Sequence, residues 1–182
     1  MATEHWDFDL SHSSINFWVR HLMVAKVHGR FADWSGSLEL DDADPTKTRI
    51  DVQIDTRSID TREEKRDEHL RSADFLDVEN HPKIAFRSTA IERKGADRLL
   101  VTGDLTIRGT TRPVTLDVEA AGRAKDPWGG ERTGFSATAA IDRKDFGLQW
   151  NVALEAGGVL VGDKVNITIE VEAIKKPAQA AG

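Results

Sequence analysis

Six histidines, His5, His12, His21, His28, His69 and His81, are the residues of this 182-residue chain best suited to hold a metal or move a proton near neutral pH. Their spacings match no zinc signature: there is no HExxH, and the chain has no cysteine to complete a thiolate site. Disulfides and cysteine nucleophiles are excluded for the same reason. Scattered surface positions account for the histidines, and no metal is expected. The other side chains offer no better case for catalysis. No nucleophile elbow, phosphate loop or glycine-rich dinucleotide turn is present. Two carboxylates could meet in space for acid–base work, but no spacing selects a pair. The chain reads as a non-enzyme.

His21 is set apart by the segment that carries it. It continues the parity of Ile15, Phe17 and Val19, which places an imidazole at the end of an apolar wall. It is either a donor to the polar end of a bound molecule or a rim residue bonded to a neighbour, since a buried polar group needs a partner in both cases. The same strict alternation recurs in Ile50-Val52-Ile54, from Leu99 to Ile107, from Val114 to Ala120, from Phe135 to Ile141 and from Val165 to Val171. Period-two alternation marks half-buried antiparallel strands, here facing one shared interior.

Strands are predicted over Trp6–Leu10, from Ile15, Arg49–Asp55, Lys83–Ile91, Arg98–Arg108, Arg112–Gly122, Thr133–Asp142 and Lys164–Ala173. Gly29 and Gly36 flank Phe31 and Trp34 in VHGRFADWSGSLEL, where glycine within a strand pattern marks a bulge or a close approach. Gly109-Thr110-Thr111 suits a hairpin with a bulge, and Asp126-Pro127-Trp128-Gly129-Gly130 a hairpin loop. Alternation lapses once, between Asp60 and Leu76. A helix over about residues 61–73 is predicted there, opened by a Thr61-x-x-Glu64 capping box, with apolar residues only from Leu70 onward. Roughly eight or more strands with tight connections give an all-β fold, an up-and-down antiparallel barrel or a sandwich, with one inserted α-helix, and the barrel is the favoured reading. Closure removes the edges that long apolar strands would otherwise expose. Residues 1–176 form one domain, and 177–182 a flexible tail.

The composition, 39% hydrophobic and 31% charged, contains no apolar run near the ~20 residues of a membrane-spanning helix. With a net charge of −6 and acids and bases interspersed, nucleic acid is not an expected partner. Met-Ala-Thr-Glu-His-Trp has neither a basic n-region nor an apolar h-region, so a cytoplasmic location is expected, or a secreted or periplasmic one if a signal has been trimmed.

An eight-stranded barrel is either filled by side chains or just wide enough for one small ligand. Gly103, Ala120, Ala137 and Ala139 fall on inward positions of three successive strands, where they leave room, and Phe17, Phe31, Phe86 and Phe135 line the rest. An empty space of several hundred cubic ångströms, at about 20 cal/mol per Å³, would exceed a typical domain's stability. An apolar occupant is therefore expected. In the alternative, the aromatics fill the space and the barrel is a packed interaction module without an internal ligand.

Particular motifs go beyond patterning. HSSINFWVRHLM (His12–Met23), VHGRFADWSGSLEL, RDEHLRSADFLD (Arg66–Asp77) followed by HPKIAF, GDLTIRGTTRPVTL (Gly103–Leu116) and IDRKDFGL (Ile141–Leu148) resemble, in order and over nearly the whole chain, the YceI-like family of polyisoprenoid-binding proteins. The resemblance implies a lipocalin-like barrel whose apolar pore holds a polyisoprenoid, an isoprenoid quinone or a similar amphiphilic lipid, with no other cofactor. Many relatives carry a secretion signal, which the start of this chain does not show. Arg66, Asp67, His69, Arg143 and Asp145 are the charged positions of the matched motifs and read as structural pairs in preference to head-group contacts. The function expected is non-enzymatic binding, storage or transport of a long-chain isoprenoid. The lining residues expected are Phe17, Val19, His21, Met23, Phe31, Leu38, Phe86, Leu105, Phe135, Ala137, Ile141 and Phe146. Outward Trp18 suggests a homodimer.

Overall fold

The computed structural model describes residues 3–155 and 157–177. Eleven strands build the fold: β1 (Thr3–Phe8), β2 (Ser14–His21), β3 (Ala25–Phe31), β4 (Trp34–Asp41), β5 (Arg49–Asp55), β6 (Ile59–Asp60), β7 (Lys83–Arg93), β8 (Arg98–Ile107), β9 (Thr110–Lys125), β10 (Glu131–Asp142) and β11 (Lys164–Lys175), with α1 (Glu64–Arg71) between β6 and β7. β4 pairs with β1 and β5 while β3 pairs with β2 and β6, so β1/β2, β3/β4 and β5/β6 are three kinked strands. With β7 to β11 they make eight staves in chain order, and β11 closes the ring on β1 at Trp6↔Lys175 and on β2 at Ile167↔Phe17. This is the closed up-and-down antiparallel barrel that the alternation predicts.

The kinks have local causes. Between β1 and β2 the Asp9 carboxylate accepts the Ser11 N–H at 3.1 Å and caps a 3₁₀ turn over Leu10–His12. Between β5 and β6 Asp55 accepts from Arg57 N at 3.0 Å in the same way. These are aspartate side chains copying a backbone turn. Register slips between Ser88 and Ala90 and between Thr133 and Phe135 supply the bulges that a small barrel needs to bend.

Two local predictions are corrected. The helix spans 64–71 and is capped by Glu63, whose carboxylate accepts from Arg66 N at 2.7 Å, so Thr61 is no N-cap. Thr61 is instead gripped by Asp67 Oδ1, which accepts its N–H at 2.9 Å and its hydroxyl at 2.5 Å. The β8–β9 hairpin turns on Arg108 and Gly109, both at positive φ, with Ile107 opposite Thr110; it is a two-residue turn without the expected bulge. The predicted tail lies outside the described residues beyond Pro177. No described helix is long and apolar enough to cross a membrane.

Candidate functional site

The barrel is hollow. A cavity of about 280 Å³ runs inside it, bordered along β8 by Leu99, Val101, Leu105 and Ile107 and by the corresponding inward residues of the other staves. At 3.4 Å per residue and the usual tilt, those β8 positions span about 20 Å of barrel axis. Left empty, such a volume costs roughly 7 kcal/mol, a large part of a typical domain's stability but not more than all of it, which revises the sequence-based expectation.

What keeps the lumen open differs from prediction. Gly103 leaves no gap: a Cβ there would lie 2.6 Å from Phe86 Cε2, because that ring is packed onto the glycine. Gly29, opposite Phe17 in the β2–β3 ladder, is covered likewise, its would-be Cβ 2.8 Å from Phe17 Cε2. The glycines make room for large rings against the wall, where they line the bore. Ala137 does border the cavity, whereas Ala120 and Ala139 do not.

One end is plugged. Trp6, Leu38 and Ala173 form a separate buried cluster, with Phe8, Leu40, Ile50 and Phe135 packed on it. Above Trp6 sits an ion network in which Arg123 lies 5.2 Å from the indole ring and reaches Glu4 at 2.9 Å, while Lys175 reaches Glu4 at 2.9 Å. Burial works against the Glu4 charge, but Arg123 and Lys175 outweigh it and hold the carboxyl down from 4.5 to about 2.

The other end is covered by α1, the segment after it and the loop from Arg143 to Asp163. Leu70, Phe75, Leu76 and Ile59 close over the lumen from the helix side, and Leu148 and Val161 from the loop. His69 ties the two together: it bonds Asp74 Oδ2 at 2.8 Å, and its ring stacks edge-on against Phe75 (5.0 Å) and Trp150 (4.6 Å). Arg66 donates to the Thr61 hydroxyl (2.7 Å) and carbonyl (2.6 Å), so Arg66 and Asp67 grip the same residue and do not pair with each other.

Among the described residues Arg143 is the one charged side chain bordering the cavity, and it is 3% exposed. Its guanidinium donates to the carbonyls of Gly162 (2.9 Å), Leu148 (2.5 Å), Trp150 (3.0 Å) and Val161 (3.4 Å). Burial pushes its pKa down, against the attraction of Asp163. It folds the loop around a cation at the helix end of an apolar tube, with Asp163 as its ion-pair partner at 3.8 Å. Asp145 is exposed.

Nine of the twelve expected lining residues border the cavity: Phe17, Val19, Phe31, Leu38, Phe86, Leu105, Phe135, Ala137 and Ile141. Three do not. His21 lies where β2 leaves the wall to bridge Val161 in the loop. Met23 occupies the β2–β3 turn at positive φ and points outward, 62% exposed. Phe146 is buried in the main core at 2% exposure, filling space beneath its 3₁₀ turn. The expected set also lacked many inward strand residues, such as Ile50, Val101 and Ile107, whose parity already marked them, and Phe75, Leu76, Leu148 and Val161, which come from segments without a period-two pattern. The apolar cluster at Leu70–Leu76 was the available signal.

Asp9, His12 and Glu172 also gather near the plugged end, with ligand-type atoms within 4.8 Å of one another. Arg132 already sits on both carboxylates, at 2.9 and 2.7 Å, so the cluster is satisfied by a cation of the chain itself.

A closed eight-stranded barrel around a single apolar bore, with one helix over its end, defines a lipocalin-like β-barrel. The YceI-like domain model matches residues 6–173, and the chain belongs to the YceI-like family. Protein YceI of Escherichia coli O157:H7 is 39% identical over 170 residues, 93% of this chain and 85% of that protein. A Campylobacter jejuni YceI crystal structure superposes with a TM-score of 0.73 at 32% identity, covering 87% of this chain and 90% of that one. The fold is shared with Burkholderia cenocepacia BcnA (TM-score 0.79, 24% identity, 91% and 99% covered) and a Saccharophagus degradans polyisoprenoid binding domain (0.66, 14%, 92% and 97%).

Proposed function

We propose that the barrel binds one long apolar or amphiphilic lipid, of the polyisoprenoid or isoprenoid-quinone type, as a carrier or store. No catalytic step is assigned to it. The carrying observation is the hollow, apolar bore of about 280 Å³, held open by rings that lie on Gly29 and Gly103. A packed interaction module would have spent those rings on filling it. Membership of the YceI-like family and the fold shared with a polyisoprenoid binding domain support the ligand class. Affinity comes from removing ligand surface from water at roughly 25 cal/mol per Å², with few polar contacts and loose selectivity. The tail points toward the Trp6–Leu38 plug, and the polar end lies under the helix, beside the Arg143 charge.

Native mass spectrometry of protein purified without detergent tests this. An adduct of lipid mass, displaced by an added polyprenol, is expected. A clean apo mass across several preparations, together with no uptake of added polyprenol, overturns the proposal in favour of the packed module.

A further inference from the structure

We infer that the β2–β3 hairpin tip is a membrane-docking finger for a bilayer surface rich in anionic lipid. Leu22, Met23 and Val24 form this tip and are 42%, 62% and 78% exposed. It is built against backbone preference. Val24 N–H bonds the His21 carbonyl at 3.1 Å, with Leu22 and Met23 at φ of 52° and 60°. Both central residues of such a turn favour Asn or Gly, and a bulky apolar residue is strained there. Three consecutive apolar side chains are thus presented to solvent where Asn-Gly would fold more easily.

The apolar surface continues sideways. Leu22 N–H bonds Leu160 O at 2.9 Å and Leu160 N–H bonds Val152 O at 2.9 Å, which brings exposed Val152 alongside the tip, while Met23 lies across Gly158. Behind the tip, outward Trp18 carries Lys26 Nζ 4.3 Å and Arg20 5.3 Å from its ring centre. Neither cation forms an ion pair among the described residues. No Asp or Glu occurs between Asp9 and Asp33, in a chain with 31 acids, and Glu155 is the sole carboxylate in the facing stretch 151–162. An apolar tip that can enter the acyl boundary, with an indole and two cations at headgroup depth, fits an anionic bilayer. The tip lies at the helix end of the barrel, opposite the Trp6–Leu38 plug.

Vesicle co-sedimentation tests the inference, using phosphatidylcholine with and without phosphatidylglycerol and no isoprenoid, so that failure here and failure of lumen binding remain separate results. The chain is expected to bind the anionic vesicles, and less so as salt rises. Arg20→Glu/Lys26→Glu should weaken binding at least roughly 25-fold, about fivefold per cation removed. Leu22→Asn/Met23→Gly should abolish detectable binding while matching or exceeding the native melting temperature, because it installs the preferred turn. Trp128→Ser, at the exposed hairpin of the opposite end, should bind as the native chain does. The inference is overturned if the native chain ignores anionic vesicles at low salt or if the Asn-Gly variant binds equally. It is overturned also if light scattering finds a dimer that this variant dissociates, since the tip would then belong to an interface between copies.

Discussion

Gly29→Ala should reduce lipid occupancy while leaving the protein nearly as stable as before. The three atoms nearest the Cβ it adds all belong to the Phe17 ring, Cζ first, then Cε2 at 2.8 Å and Cε1 at 2.9 Å. Comfortable carbon–carbon contact is about 3.5–4.0 Å, and Cζ is the closest atom, so the ring must retreat by about 1.5 Å. The wall blocks one side, and the retreat carries it toward Phe31, 5.6 Å away, and into the bore. Overpacking costs about 1–3 kcal/mol in a tight core, and a ring with open space ahead of it falls at the low end. Replacing glycine within a strand returns about 0.5–1 kcal/mol. Net destabilisation by denaturant should therefore stay within about 1 kcal/mol. If the displaced ring removes some 40–50 Å² of ligand contact, binding weakens by about 1 kcal/mol, roughly five- to eightfold in Kd for a fluorescent polyprenol analogue. Gly36→Ala is the control. Its Cβ would meet the Asp51 carbonyl oxygen at 2.6 Å, which cannot swing aside, so that variant should lose clearly more stability. Unchanged binding in Gly29→Ala at unchanged stability would show that the Phe17 ring does not border the ligand. A loss above about 3 kcal/mol would show that the bore has no room for the ring.

Filling the bore directly with Ala137→Phe should raise the melting temperature of lipid-free protein, because it removes part of a cavity costing about 24 cal/mol per Å³, and should lower polyprenol uptake in titration. Asp67→Ala removes the acceptor of both Thr61 bonds in a buried setting; a loss of about 2–4 kcal/mol and fast amide exchange over 61–71 are expected in denaturant and hydrogen-exchange measurements, with lipid occupancy changed less than stability. Acid titration should find the plugged end early. Glu4 has a folded pKa near 2 against an ordinary 4.5, so its contribution is complete above pH 4.5 and is lost as pH falls toward 2. Glu4→Gln should flatten that limb of a stability-versus-pH curve.

Most of the barrel was legible because its rule is local. Arg49–Asp55 is a strand over the predicted range, and Arg98, Glu131 and Lys164 begin strands within two residues of prediction, since alternation reports a half-buried surface wherever the chain lies on one. The site was legible on the same staves. It failed where the chain leaves the wall: parity carried His21 and Met23 inward by extrapolation, but a turn at positive φ reverses the chain at Leu22. Closure by Phe75, Leu76, Leu148 and Val161 depends on which loop folds over which end, a tertiary fact without sequence period. Thr61 shows the same limit on a smaller scale, because a capping-box spelling does not reveal that Asp67 will claim the hydroxyl first. The role of Gly103 was inverted for a related reason. An absent side chain reads as room in a sequence, yet the space above it belongs to whichever neighbour can lie there, here Phe86.

The Trp6–Leu38–Ala173 plug makes the tube a blind alley. On the proposed function, a lipid entering tail-first past the covering helix and loop would have to back out the same way, so loading and unloading would share one doorway and could not overlap in time. A donor and an acceptor would then have to present themselves to the same face in turn, and the protein would travel between them like a shuttle with a single hatch. Such a carrier would not serve as a conduit held between two compartments.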